Sequence, residues 1–337
     1  FQDYESEASE YADLMADNKI QEFSELDMKM SADILQDIKD SGDIELEMSA
    51  FTEEALNELL AKSQEGEVKE DDADLTPPEN PVSEQGDIWL LGKHRLICGD
   101  STKAETYENL MNGKKANLVV TDPPYNVAYE GTAGTIQNDS MEDGKFYEFL
   151  FSAFKCMYDV CADGASIYVF HADKESINFR TAFRDAGFFC HQTCIWVKNT
   201  PVLGRCDYQY CHEPILVGWK PTAGHKWYSD RKQRTVWNFD KPKKSELHPT
   251  TKPIPLVAYP IQNSSVVNSV ILEPFGGSGS TLIACEQTDR ICYAIEIDEK
   301  FVDVIARRYV DFKENSDDVF LLRNGEKIPY SEVLTNE

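Results

Sequence analysis

No stretch of the 337 residues approaches the roughly eighteen consecutive apolar residues of a membrane span, and no charged-then-apolar leader opens the chain. The expectation is therefore a protein with no membrane partner. Phe1 is not a start methionine, which points to a fragment or a processed chain. The nine cysteines follow no regular spacing, as expected of free thiols in a reducing compartment, the cytoplasm. Cys190-His191-x-x-Cys194 and Cys206-x4-Cys211-His212 lack a standard structural zinc spacing and sit in strand-like sequence, so no metal is expected. Basic residues are also scarce. There are 33 Lys and Arg against 60 Asp and Glu, a net charge of −27, which spread evenly would repel a polyanion.

The charge is not spread evenly. Residues 1–87 hold 27 Asp and Glu against 5 Lys and Arg, a net of −22, and the remaining 250 residues carry only −5. Residues 1–62 read as an acidic helical segment, with apolar residues at steps of three and four around Leu14, Ile34 and Leu56. Ser31 and Thr52 are candidate caps. Residues 63–85, rich in Glu and Asp and containing Pro77, Pro78 and Pro81, read as a disordered linker. A second domain, 86–325, begins near Gly86. Strand-like and helix-like stretches alternate along it, predicting helices over 146–160 and 174–187 and strands over 165–170, 193–198 and 214–219. That alternation predicts an α/β fold, a largely parallel sheet with helices on both faces.

Within this domain, Val119-Val120-Thr121-Asp122-Pro123-Pro124-Tyr125-Asn126 is the most informative stretch. The valines favour a buried strand, and the proline pair ends it by removing two backbone donors. A stiff loop then presents the Asp122 carboxylate, the Pro123 carbonyl and the Tyr125 ring at the carboxyl edge of a sheet, where open α/β sheets bind ligands. A flat substrate bearing an amino group suits this set. Its two N–H groups meet Asp122 and Pro123, and its face stacks on Tyr125. Residues 127–145, rich in Gly and Thr, read as a mobile loop that orders over the substrate.

The second informative stretch is Glu273-Pro274-Phe275-Gly276-Gly277-Ser278-Gly279-Ser280-Thr281. It follows the apolar Ser269-Val270-Ile271-Leu272 and leads into a helix, so strand, glycine loop and helix N-terminus invite close approach of a cofactor. Downstream, Ala294-Ile295-Glu296-Ile297-Asp298 ends a strand in acids, the usual partners of ribose hydroxyls.

Together, the Asp-Pro-Pro-Tyr and Phe-Gly-Gly-Ser-Gly motifs resemble those of the DNA amino-methyltransferases that use S-adenosylmethionine, the adenine-N6 and cytosine-N4 enzymes. The catalytic motif precedes the cofactor motif, as in the family's β class. Gly86-Asp87-Ile88-Trp89 through Leu96-Ile97-Cys98-Gly99-Asp100-Ser101, Ile195-Trp196-Val197-Lys198, His212-Glu213-Pro214-Ile215-Leu216 and His248-Pro249-Thr250-Thr251-Lys252-Pro253 resemble further family segments. The likeness spans roughly 86 to 312, with Glu273 where Asp is usual and Ser280 where Thr is common. It implies a Rossmann-like methyltransferase fold and S-adenosyl-L-methionine as cofactor. Asp122, Pro123, Pro124 and Tyr125 become the catalytic residues. The cofactor residues become Asp100 near the adenosine, Glu273, Phe275, Gly277 and Gly279 on the loop, Glu296 on the ribose, and Thr250 and Lys252 near the amino-acid carboxylate. More faintly, residues 1–62 resemble the end of a ParB-like domain.

The resemblance also implies double-stranded DNA as partner, with a homodimer and a cognate restriction endonuclease as companions it allows. Residues 220–252 suit DNA: nine Lys and Arg stand against Asp230, Asp240 and Glu246, interleaved with Trp227, Tyr228 and Trp237. Lys226, Arg231, Lys232, Arg234, Lys241 and Lys243 are the expected phosphate contacts, within a short target-recognition segment at 220–247. The expected reaction is methyl transfer to the exocyclic N6 of a flipped-out adenine. Cytosine N4, a protein glutamine amide, RNA, and an inactive DNA-binding relative remain alternatives.

Overall fold

The computed structural model describes residues 66–127, 130–131, 134–135, 139–202, 206–240 and 251–333. The helices expected over 1–62, with their ParB-like resemblance, lie outside the described residues. The chain divides into a large unit, Val68–Trp227 with Arg234–Glu337, and a second made of Phe1–Glu67 with Tyr228–Gln233. Of the second unit, residues 228–233 show a turn in which Asp230 accepts from the Lys232 N–H (2.9 Å) and the Gln233 side chain (2.7 Å).

The large unit runs β1 (Ile88–Leu91), β2 (His94–Cys98), α1 (Ala104–Met111), β3 (Ala116–Thr121), the short pair β4 (Glu130–Gly131) and β5 (Gly134–Thr135), α2 (Asp143–Val160) and β6 (Cys161–Phe170). There follow α3 (Ser176–Asp185), β7 (Phe189–Val202), β8 (Tyr210–Trp219), β9 (Val236–Asn238), α4 (Ile254–Ser264), β10 (Val270–Glu273) and α5 (Ser280–Gln287). Then come β11 (Ile291–Glu296), α6 (Glu299–Lys313), β12 (Val319–Arg323), β13 (Glu326–Pro329) and α7 (Tyr330–Val333).

Among the described residues, one sheet has the order β13-β12-β1-β2-β11-β10-β3-β6-β8-β7-β9. β2, β11, β10, β3 and β6 run parallel, as expected of a Rossmann-like sheet. Beyond β6 the pattern changes. β7 and β8 form an antiparallel hairpin, because their short connection leaves no room for a crossover.

Both faces are covered. Residues 118–121 of β3 are buried without alternation, as in a strand packed on both sides. One face packs against α1, α2 and α3, where Phe146, Phe149, Leu150, Ala153, Phe154 and Met157 line the inward stripe of α2. The other packs against α4, α5 and α6, with Val257, Ile261, Leu282, Ile283, Val302, Ile305 and Tyr309. No helix of the described residues is long and apolar enough to cross a membrane.

Residues 68–85, within the 63–85 expected as a disordered linker, form no helix or strand, yet they lie as a strap against α4, α5 and α6. The Lys69 N–H and C=O pair reciprocally with the Gln287 amide (2.9 and 2.8 Å). Glu70 accepts from Ile254 N–H (3.0 Å), and Asp71 makes a two-pronged pair with Arg308 (2.7 and 2.9 Å). Arg307 donates to the Asp74 and Thr76 carbonyls, and Asp303 accepts from the backbone of Val82 and Ser83. Arg308 is only 2 % exposed. A guanidinium buried so deeply without a carboxylate costs on the order of 3–5 kcal/mol, so the acids that suggested a solvated coil are what hold the strap down.

Candidate active site

The carboxyl ends of the five parallel strands, the late part of β7 and the early part of β8 share one edge of the sheet. Asp122 follows β3 there, the glycine loop follows β10, Glu296 closes β11, and Asp100 lies two residues beyond β2.

The Asp122–Tyr125 loop is pinned from below. Asp139, 2 % exposed, accepts from the backbone N–H of Tyr125 (2.9 Å) and Val127 (3.3 Å). Asn126, in the left-handed region at φ 56°, exchanges two hydrogen bonds with the Met141 backbone (3.1 and 2.6 Å). The segment expected to be a mobile loop thus contributes two anchors to the catalytic motif. Its residues 128, 129, 132, 133 and 136–138 lie outside the described residues.

Above the pinned backbone is a cluster of charges. The Lys252 ammonium donates to Asp122 Oδ2 and to the Tyr125 hydroxyl (3.1 Å), and lies 3.3 Å from Glu213 Oε2. The Tyr125 hydroxyl has its one hydrogen between Asp122 Oδ1 (2.5 Å) and Glu213 Oε2 (3.0 Å). Lys198 closes the cluster against Glu213 Oε1. Burial pushes the Asp122 carboxyl above its ordinary range, opposed by Lys252 and reinforced by Glu213. Burial acts the same way on Glu213, but the Lys252 and Lys198 ammonium groups outweigh it and bring Glu213 down to about 2. Lys252 is held protonated: burial works against its charge, and Asp122 and Glu213 more than restore it. The result is a carboxyl with heightened proton affinity, set against a fixed cation and a fixed anion.

Two expected residues do more here than the sequence suggested. Lys252, expected near a cofactor carboxylate, has its ammonium drawn by two protein carboxylates, Asp122 and Glu213. Tyr125 offers more than a ring face. Its half-buried ring lies edge-on to Phe179, with centroids 6.5 Å apart, and its hydroxyl joins the charge cluster. Lys198 and Glu213 stand in segments the sequence singled out, but with no role given to either side chain. The available signal was a lysine ending the apolar Ile195-Trp196-Val197 run and an acid opening the next strand.

The glycine loop has a different construction. Gly277 and Gly279 both adopt positive φ (52° and 87°), and Gly279 caps α5. A Cβ on Gly279 would meet Ile305 at 3.2 Å, whereas one on Gly277 would meet nothing nearer than the Phe275 carbonyl at 3.9 Å. The backbone at Gly277 therefore faces open space. Glu296 Oε2 accepts from Gly277 N–H (2.7 Å) and Oε1 from Asp298 N–H (2.9 Å), tying loop to strand end. Burial pushes Glu296 up to about 7. Each Glu296 oxygen keeps a lone pair for a hydroxyl, which fits the ribose role. Asp100, on the neighbouring strand end, accepts from the backbone and hydroxyl of Thr102 through Oδ1 (2.8 and 2.7 Å). Phe275 rests on Phe149.

Glu273, expected as a cofactor contact, is a buried bridging acid. It is 4 % exposed and accepts from Thr121 (2.7 Å) and Thr281 (2.9 Å) hydroxyls and from Phe275 N–H (3.1 Å). It is a yoke, joining the end of β3, the glycine loop and the start of α5. Thr250, Lys241 and Lys243 lie outside the described residues. Lys226, Arg231, Lys232 and Arg234 are exposed. Trp237, interleaved with these basic residues in the sequence, is core: it packs on Tyr168 and Tyr259 and lies on the edge strand β9.

A family model described as DNA methylase, covering N6 and N4 methyltransferases, matches residues 116–307, more than half of the chain. The chain belongs to the DNA methylase family. Among curated relatives it is 26% identical over 237 residues to a type II methyltransferase, M.HpaI, of Haemophilus parainfluenzae, covering 64% of this chain and 73% of that one. Its fold is shared with the cytosine-N4-specific PvuII DNA methyltransferase (TM-score 0.53, 14% identity, 77% of this chain and 94% of that chain). It is also shared with the SAM complex of M1.HpyAVI (TM-score 0.50, 21% identity, 63% and 98%). The family's matched region includes both loops of the site, and excludes the strap at 68–85.

Proposed function

We propose that this DNA methylase transfers the methyl group of S-adenosylmethionine to the exocyclic N6 of an adenine flipped out of double-stranded DNA. The observation that carries the reading is the yoke. The hydrogen bonds of Glu273 to Thr121 and Thr281 fix the amino-accepting loop and the cofactor loop side by side on adjacent strands.

The residues present fit the cofactor. The open backbone at Gly277 and the amino end of α5 would take its polar groups, and Glu296 and Asp100 its ribose and adenosine. When bound, the sulfonium supplies a methyl group already activated for displacement. The protein's work is alignment and proton handling. Alignment of nitrogen, methyl carbon and sulfur is worth up to about 7–11 kcal/mol in favourable cases. Asp122 and the Pro123 carbonyl accept the two amino N–H groups, drawing the nitrogen lone pair out of conjugation. Once the nitrogen has gained its fourth bond, one proton leaves it. Asp122, whose burial raises its proton affinity, is placed to accept that proton while Lys252 keeps its charge. Tyr125 holds Asp122 in orientation through its hydroxyl and offers its ring to the flipped base.

Cytosine N4 is served by the same acceptors. Two physical points favour adenine: its larger face for an aromatic contact and the lower cost of opening an A·T pair. Digestion of methylated duplex DNA to nucleosides and mass spectrometry tests the choice. N6-methyladenine is expected, and N4-methylcytosine in its place would overturn the base assignment.

A further inference from the structure

The strap reaches the cofactor loop through one buried cation. Asp71 holds Arg308 by two prongs, and the remaining Arg308 nitrogen, Nη1, donates to the Ser278 carbonyl (2.8 Å), between Gly277 and Gly279. The same nitrogen lies 3.4 Å from the Ser280 hydroxyl, which donates to the Lys252 carbonyl (2.8 Å). One residue earlier in the strap, Glu70 accepts from Ile254 N–H, two positions beyond Lys252. Adjacent strap acids therefore touch the supports of both functional loops. Each is a single-step relay: Asp71 to Arg308 to Ser278, and Glu70 to the first residue of α4.

The connection is directional. Arg308 presents a rigid fork, so fixing two of its nitrogens on Asp71 fixes where the third points. The Ser278 carbonyl has little other means of being held, since its neighbours Gly277 and Gly279 occupy left-handed conformations and impose few side-chain constraints. Without Asp71 the guanidinium would lose its paired carboxylate and, with it, the orientation that reaches the loop.

We propose that the acidic strap is a positioning element of the cofactor site, with Asp71 acting through Arg308 to set the glycine loop for binding. The inference rests on the reading of that loop as the S-adenosylmethionine site. It places a determinant of cofactor affinity outside residues 116–307, the region shared with the family.

The test uses the full chain carrying Asp71→Asn or Asp71→Glu. Three quantities are measured: S-adenosylmethionine affinity by calorimetry, turnover at saturating cofactor, and amide hydrogen exchange of residues 276–280 without cofactor. Asp71→Asn is expected to weaken affinity by about tenfold or more, the scale of a lost charged hydrogen bond. Turnover at saturating cofactor should stay close to wild type, and exchange at 276–280 should quicken. Asp71→Glu, which keeps the carboxylate, should restore affinity and exchange. A folded Asp71→Asn with lowered thermal stability but wild-type affinity and wild-type loop exchange would overturn the proposal, leaving only a structural brace. If Asp71→Asn does not fold, Arg308→Lys, which keeps the charge but loses the fork, should show the same weakening, and wild-type affinity and exchange there would overturn it equally. Failure of the wild-type chain to bind S-adenosylmethionine would strike the cofactor reading instead. The exchange measurement would still decide whether Asp71 orders the loop.

Discussion

The two poles of the active site are held by opposite means. Around Asp122, four ionisable side chains and a tyrosine hydroxyl sit within hydrogen-bonding reach of one another, and the geometry is set by charge. Around Gly277, backbone N–H groups meet two carboxyl groups, Glu296 and Glu273, whose burial pushes them to about 7 and about 8. On the proposed mechanism, the first pole must change its interactions during a turnover, as a proton and a positive charge pass through it. The second must keep a backbone in one shape while a large ligand comes and goes. A charge cluster answers the first need, because Asp122 can take up a proton beside a cation and an anion whose charges stay fixed. Short backbone anchors answer the second. The poles should therefore come apart under mutation, one governing turnover and the other affinity.

The largest separation is expected for Asp122→Ala. Turnover should fall by orders of magnitude with S-adenosylmethionine affinity nearly unchanged, since its hydrogen bond matters most as the nitrogen rehybridises. Steady-state kinetics alongside calorimetry checks it, and a variant retaining half of wild-type turnover would remove Asp122 from the chemistry. The complementary change is Gly279→Val. A β-branched residue at φ 87° against Ile305 should abolish cofactor binding, seen as loss of the calorimetric signal in a folded protein.

Tyr125→Phe gives a finer test within the first pole. It keeps the ring but deletes the hydroxyl that contacts Asp122, Glu213 and Lys252, so turnover should drop by roughly 10- to 100-fold for a lost charged hydrogen bond. Equal activity in Phe and Tyr enzymes would return the residue to a stacking role only.

How much of this was legible in the sequence follows the same divide. The loops were legible because their chemistry is local. Two prolines after a β-branched pair end a strand, and glycines between a strand and a helix leave room for a ligand. The five parallel strands and the helices on both faces follow from alternation and periodicity. What brought Lys252 to Asp122, or Asp71 to Arg308, was tertiary. Those partners lie 130 and 237 residues apart, and no spacing rule joins them. Composition even misled. Acids and prolines read as a solvated linker because a buried arginine on a distant helix leaves no mark on the local pattern.

Titration should distinguish the poles further. A carboxyl that holds its proton more tightly folded than unfolded stabilises the fold fully below its ordinary value of 4.5. That contribution is lost as the pH climbs through its folded value, about 8 for Glu273. Stability should therefore fall as pH rises from 5 to 8.5, by a few degrees in Tm. Glu273→Gln should reduce the dependence, with Glu296 supplying part of the remainder, and an unchanged slope would show that Glu273 titrates normally.

The smallest effect is expected at the exposed basic residues of the expected DNA-contacting segment. Neutralising Arg231, Lys232 and Arg234 together should weaken DNA binding and reduce the log K against log salt slope by roughly 0.9 per lost phosphate contact, with cofactor affinity untouched. An unchanged slope would place the DNA elsewhere.

The central claim, that the two poles form one site for methylating DNA, is tested most directly by transfer of a tritiated methyl group from S-adenosylmethionine, with duplex DNA, RNA and protein offered as acceptors. Wild type is predicted to label duplex DNA, and Asp122→Ala to bind the cofactor equally while labelling nothing. Label in protein or RNA but not in DNA, or undiminished DNA labelling by Asp122→Ala, would contradict the account.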